Sequence, residues 1–477
     1  MKKLILFSII MSLSYYSTDK AKSLALLNYM KSNYLLQSHN NETYIGNGLN
    51  ILISIKEKVK QTKVDRSSSY ALIDKSPLEY EPMYFSTHTI DNKHQKVFEK
   101  SKINFNSSKE ENYIGKIWQS EKKAWIDPEF GYEITQWTSD KYSNWPLYFN
   151  VESFIDENNV IIYSDRTGSV NLFKLNLLTG ELIQLTNHTR DISGVVWHIP
   201  KLNKIWYKIN NSICVLDYKM LKDSIVLQPA GEITSFTVTC NGKYLVYSIN
   251  KNPGYNSNNS TGPYAIMRLN LYTGEIKQIS PDYGFSINHL QASPTDSTWI
   301  IYSWQHQYRE GGSCIVGNTP IRFWWIKVDG SDGGPIGPQE FGIHRTHEFW
   351  FYDGVRVGYS ARYIFGPNAG KQFLGSCKPD GSDNYMFEVP VGPSHSQVFK
   401  DNKHWVTDQN NGMILTLWTF DRDKVLKEEK LFRHNSSWGK QPTHPHPHFS
   451  PDGKYIIFGT DRTGKPQVYT VKINIIK

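Results

Sequence analysis

Near its C-terminal end the chain reads Gln441-Pro-Thr-His-Pro-His-Pro-His-Phe449, with three histidines on alternate positions and prolines between them. In extended backbone alternate side chains share a face, so His444, His446 and His448 are expected to point the same way. Pro445 and Pro447 cannot donate ladder hydrogen bonds, which puts the segment at a sheet edge rather than in a central strand. Imidazoles held on a stiff edge beside water suit a divalent metal; a surface run of His and Pro with no role is the plainer alternative. Three further histidines stand at matched places. His289 precedes the β-rich run 299–304, His347 precedes 355–360, and His395 precedes the run around Trp405. One histidine alone is usually a satisfied polar group. Recurrence at equivalent points of consecutive units predicts imidazoles gathered at one end of a shared channel.

The elements that would position them are short strands. From about Tyr132, β-branched and aromatic runs alternate with Asp-Gly, Thr-Gly and Pro-Asp-Gly turn signals. Units centre on 159–181, 205–216, 242–275, 299–328, 355–389, 405–420 and 454–473. Seven units of about 40 residues, each long enough for about four strands, predict an all-β, seven-bladed β-propeller over 130–477, because one blade cannot bury both of its faces alone. The run 132–137 precedes the first unit and is placed to complete the last blade and close the ring. Long helical patterns are absent, against a βαβ fold. Residues 21–125 are rich in Lys, Asn and Ser without a sustained period, and read as a partly disordered extension. At the start, Met1-Lys2-Lys3 leads into an apolar run from Leu4 to Leu13. That is the order of a secretory signal over 1–20, too short to span a bilayer, and no Ala-x-Ala site follows. Export to the periplasm or the exterior is the expectation if the segment is a signal, and the cytoplasm otherwise.

Composition narrows the partners. The 477 residues are 39% hydrophobic and 21% charged, as in soluble globular proteins. A formal charge of +8 fits an acidic ligand such as a polyuronate through long-range attraction, and fits equally an unspecific surface property. No basic run interleaved with aromatics marks a nucleic-acid groove. Cys214, Cys240, Cys314 and Cys377 form no Cys-x-x-Cys pair, so neither a structural zinc site nor a redox motif is indicated. Gly459-Thr-Asp-Arg-Thr-Gly464-Lys465 imitates a phosphate-binding loop, but Pro466 stands where Ser or Thr must hold magnesium. His347-Glu348 opens like a helical zinc-protease motif and does not continue as one. No Gly-x-Ser-x-Gly elbow offers a serine nucleophile.

Together, Thr346-His-Glu-Phe-Trp350, Ser394-His395, His434-Asn-Ser-Ser-Trp438 and Gln441-Pro-Thr-His-Pro-His446 resemble the oligogalacturonate lyases. So do Phe449-Ser-Pro-Asp-Gly453 and Gly464-Lys-Pro466. The likeness runs over about 132–477 and is clearest after His289. It implies a seven-bladed propeller that uses manganese to cleave short pectin fragments by β-elimination. By motif match it puts metal ligands at His395, Gln441, His444 and His446. The proton-abstracting base falls on His347, a charge-stabilising arginine on Arg322, and a substrate contact on His289. Arg322 by itself reads as a strand-end salt bridge, and imidazoles alone would suit zinc, nickel or copper; both the arginine's role and manganese come from the resemblance. The first blade departs from the family, with Asn144-Trp-Pro-Leu-Tyr148 where a His-Arg-Asn stretch is usual. Insertions at 252–261 and 305–319 fall on connections able to border the cleft. Another uronate glycan such as ulvan is therefore an alternative substrate. A non-catalytic propeller of the Tol-associated kind shares the turn motifs but has no need of the histidines.

Overall fold

A computed structural model describes residues 112–252, 263–283, 286–305, 322–336, 343–363, 366–390, 392–409 and 413–475. The expectations for 1–111, and most of both insertions, lie outside these residues. The chain divides into two compact units, and the larger spans Pro82–Gln339, Arg345–Arg362 and Lys371–Lys477. Of the smaller unit only 343–344, 363 and 366–370 are described.

The larger unit carries seven antiparallel sheets of four or five strands, a seven-bladed β-propeller, as the repeats predict. Within each blade the strands run in chain order from one edge outward, apart from the N-terminal strands added to the first and last blades. The edge strands that begin the blades are Asn144–Pro146, Ile192–Ile199, Glu232–Val238, Ser286–Ala292, Ile343–Trp350, Pro393–Val398 and His448–Phe449. Neighbouring edge strands meet one another, Glu232–Val238 against Ser286–Ala292 most extensively. The second strands are apolar on both faces: Asn159–Ser164 and Tyr455–Thr460 bury five of six residues each. A sheet buried on both sides has no solvent face, so these strands read as continuous hydrophobic runs. Their side chains form clusters between adjacent blades, such as Ile161, Ile205 and Tyr207 between the first and second.

The ring closes as expected. Glu133–Gln136 adds to the last blade beside Gln467–Lys472, pairing Ile134 with Val471 and Thr135 with Thr470. Lys123–Ile126 lies outside it, and Ile117–Trp118 pairs with Leu182–Gln184 on the first blade. Strand pairing thus begins inside the stretch read as an extension, too briefly for a period to be visible there. No helix among the described residues is long and apolar enough to cross a membrane. Cys214, Cys240 and Cys377 are buried and free.

The edge strands are irregular in a consistent way. Register shifts interrupt them between Ser193 and Trp197, Ile233 and Ser235, Asn288 and Gln291, and Pro393 and Ser396. Such bulges leave residues outside the ladder and re-aim their side chains.

Candidate active site

His289 and His395 lie inside two of these shifts. His289, His347 and His446 have φ of 53°, 53° and 46°, in the left-handed region that costs a non-glycine residue about 1–3 kcal/mol. Well-paired sheets on either side hold that strain.

His395, His444 and His446 each offer a ring nitrogen, and these atoms all lie within 4.8 Å of one another. Donors bound at about 2.1 Å to a common ion stand roughly 3–4 Å apart, so small side-chain rotations close the set. The donor chemistry also fits a metal. Nδ1 of His444 and Nε2 of His446 are buried without a hydrogen-bond partner. Nδ1 of His395 lies 2.9 Å from Asp408 Oδ2, which leaves Nε2 as the ligand atom. Burial, and next the neighbouring imidazoles, hold His395 and His446 well below the usual histidine range. His444 is lowered by burial, against the pull of Asp408. Three neutral imidazoles, each with a ring nitrogen close to those of the other two, form a ligand set.

Asp408, fully buried, anchors this set. Its carboxylate accepts the backbone N–H of His395 at 2.6 Å and that of His446 at 3.4 Å. Burial pushes the Asp408 carboxyl up, and these donors oppose it.

The alternation argument holds for His444 and His446 but not for His448. The left-handed turn at His446 breaks the extended run, and His448 enters the strand opposite Ile457. Its Nε2 sits 2.9 Å from the Tyr148 carbonyl, holding that backbone instead of facing the cluster. Gln441 stands in a short turn, Gln441–Thr443, and lines the same cavity as His446.

The ring of His347 lies 4.6 Å from that of His395, and its Nδ1 is buried without a partner. Burial, and next the neighbouring His395, His289 and Arg322, hold His347 well below its ordinary range. Beside it Glu348 is 1% exposed, with Oε1 at 3.6 Å from both Arg322 and His289. Burial pushes Glu348 up, but Arg322 and His289 outweigh it and the carboxyl lies below its usual value. His289 is lowered by burial in spite of Glu348. Arg322 is therefore the strand-end ion pair that its sequence position suggests, and it also faces the histidines.

Glu348, Asp408 and Tyr148 escape a reading by histidine spacing. The Tyr148 ring centroid lies 4.7 Å from His446, 5.6 Å from His395 and 6.2 Å from His289. Its only sequence signal was the departure at Asn144–Tyr148. A cavity of about 530 Å³ opens beside this group, lined by Tyr148, His289, Gln441 and His446 together with side chains of the first three blades.

A family model described as oligogalacturonate lyase matches residues 255–475. An oligogalacturonate lyase of Dickeya dadantii is 25% identical over 359 residues, 68% of this chain and 89% of that protein. An oligogalacturonide lyase of Pectobacterium atrosepticum is 27% identical over 226 residues, 44% of this chain and 55% of its own. Among solved structures, an oligogalacturonate lyase in complex with manganese superposes with a TM-score of 0.68 at 22% identity, over 76% of this chain and 99% of that one. An oligogalacturonate lyase of Vibrio parahaemolyticus gives 0.66 at 19% identity, with the same coverage.

Proposed function

We propose, from the premise that the chain belongs to the oligogalacturonate lyase family, that it cleaves short galacturonate oligomers by β-elimination and leaves an unsaturated uronate. One observation carries the reading: three neutral imidazoles converge within 4.8 Å, with a fourth, His347, against them. Elimination removes the proton at C5 of a uronate and expels the oxygen at C4. Removing it builds a second negative charge on a group that is already anionic, and this is the main barrier. A divalent cation, manganese in this reading, held by His395, His444 and His446 with Gln441, would act as a Lewis acid on the uronate carboxylate. Imidazoles without thiolates accept manganese but do not select it, so its choice over zinc leans on the relatives.

The remaining work falls to side chains of this protein. His347 is unprotonated at neutral pH and has a free ring nitrogen, so it is the group that takes the C5 proton. Arg322 meets the same carboxylate with its guanidinium and stabilises the charge as it grows. Glu348 fixes Arg322 and His289 in place without itself touching the sugar. His289 lines the cavity and contacts the bound ring. Incubating the full chain with digalacturonate, glucuronan and ulvan fragments, and following the ultraviolet absorbance of the unsaturated product, tests the proposal. Product from digalacturonate that a chelator abolishes and manganese restores is expected. New reducing ends without that absorbance would mean hydrolysis and would sink it.

A further inference from the structure

We propose that the cavity beside the histidines is a second uronate subsite, in which Lys208 binds the carboxylate of the sugar adjoining the one cleaved and Trp145 and Trp197 flank its ring. This rests on the elimination reading above and names the substrate feature that the site selects.

The cavity of about 530 Å³ lies within the range of roughly 300–1,000 Å³ that encloses a small ligand. His289 and His446 line it, so whatever fills it adjoins the sugar at the metal ligands. The described lining includes no carboxylate, and Lys208 is its single permanently charged side chain. Lys208 lies on the second strand of the second blade, Lys204–Ile209, and is partly withdrawn from water. Its ammonium donates one hydrogen bond, to the Ile233 carbonyl at 3.0 Å, and forms no ion pair among the described residues. An ammonium can donate three hydrogen bonds, so this one keeps capacity for an anion. Glu232, whose charge acts on this ammonium, stands outside the lining and forms no ion pair with it, so a partly desolvated cation in this wall gains from an anion that arrives with the ligand.

The walls are built for a ring. Trp145 stacks on Tyr163 at 5.4 Å and 22°, so its orientation is fixed before anything binds. Trp197 bonds its indole N–H to the Phe236 carbonyl. Both rings are only half-buried and both line the cavity. Rigid aromatic faces bury apolar sugar surface at little entropic cost, while the polar edge of the sugar stays toward Lys208 and Gln441. An oligogalacturonate carries one carboxylate on every sugar. A site with one anion position at the metal ligands and another at Lys208 therefore selects two consecutive acidic residues.

Steady-state kinetics of the manganese-loaded full chain test this, using digalacturonate and digalacturonate methyl-esterified on the sugar that is not cleaved. The wild type should prefer the free acid, and Lys208→Met should raise KM for it about 10- to 100-fold, the worth of a charge-assisted hydrogen bond, with kcat within a few-fold. Lys208→Met should leave KM for the ester nearly unchanged, and Lys208→Arg should recover much of the affinity for the acid. Should Lys208→Met fold poorly, the wild-type preference still decides: equal KM for acid and ester overturns the subsite. An unchanged KM in a folded Lys208→Met protein overturns it as well, and shows that Lys208 only pins the Ile233 bulge. Absence of product from wild type on every uronate would instead strike the underlying lyase reading.

Discussion

His347 concentrates the chemistry assigned to this site, and its environment dictates how it should respond. Replacing it with Ala is expected to lower kcat by about 100- to 10,000-fold, the usual worth of a general base. Manganese content should stay intact, because the ligand set lies elsewhere; atomic absorption on the purified variant checks this. Burial and neighbouring positive charge keep its imidazole unprotonated, and a base works in the deprotonated form. The acid limb of the pH–rate profile should therefore lie well below the ordinary histidine value of 6.5, with kcat/KM flat between pH 6.5 and 8. Asp408 acts at one remove, holding the ring and the backbone of His395. Asp408→Asn should weaken manganese binding about 10- to 100-fold, as measured by competition with a chromophoric chelator. The alternating histidines made His444 and His446 legible from sequence alone. Asp408 and Glu348 were not, because a carboxylate becomes a partner only when separate strands are brought side by side. His448 misled for the converse reason: spacing reports a shared face only while the backbone stays extended, and His446 leaves that region.

Seven short units of strand and turn, read at the level of elements, were enough to place every blade, since doubly buried second strands leave an unbroken apolar signature. The register shifts in the edge strands had no such signature, although they decide where His289 and His395 point. A bulge depends on the pairing of two strands and not on the residues of one. Close packing at the top of the last blade adds a second requirement. A Cβ at Gly459 would come within 2.9 Å of the Pro146 ring and 3.4 Å of the His444 carbonyl, while Gly459 N–H donates to Pro445. Gly459→Val should push on the His-Pro segment and reduce manganese affinity by about tenfold or more, much as loss of a supporting partner does. Titration of the variant would show this, and wild-type affinity would mean that the segment yields without cost.

Across the molecule, stability depends on joining the two ends of the described chain. Ile134 is fully buried against Phe458, Tyr469 and Val471, so Ile134→Ala should cost about 2–5 kcal/mol in denaturant unfolding. A buried histidine links the fold to pH. His434 is wholly buried and accepts the Ser436 N–H, and burial, with Arg462 and Arg433, lowers it to about 3. Its folded value lies below the unfolded 6.5, so the unfolded chain binds the proton first. The fold is unaffected by this group above pH 6.5 and loses about 1.4 kcal/mol per unit as pH falls from there toward 3. His434→Gln should flatten that slope by one proton in urea melts across this interval. Ring closure by 132–137 was legible from the strand left over before the first unit, whereas the strands Ile117–Trp118 and Lys123–Ile126 are too short to announce themselves. The scaffold and the chemistry meet in one requirement, that separate blades hold a single cation. Anomalous diffraction at the manganese edge, from crystals of the full chain grown with the metal, measures this directly. The account predicts one dominant peak within bonding distance of His395, His444 and His446, adjacent to His347. A saturated crystal with no peak there, or with its manganese away from those three rings, would contradict it.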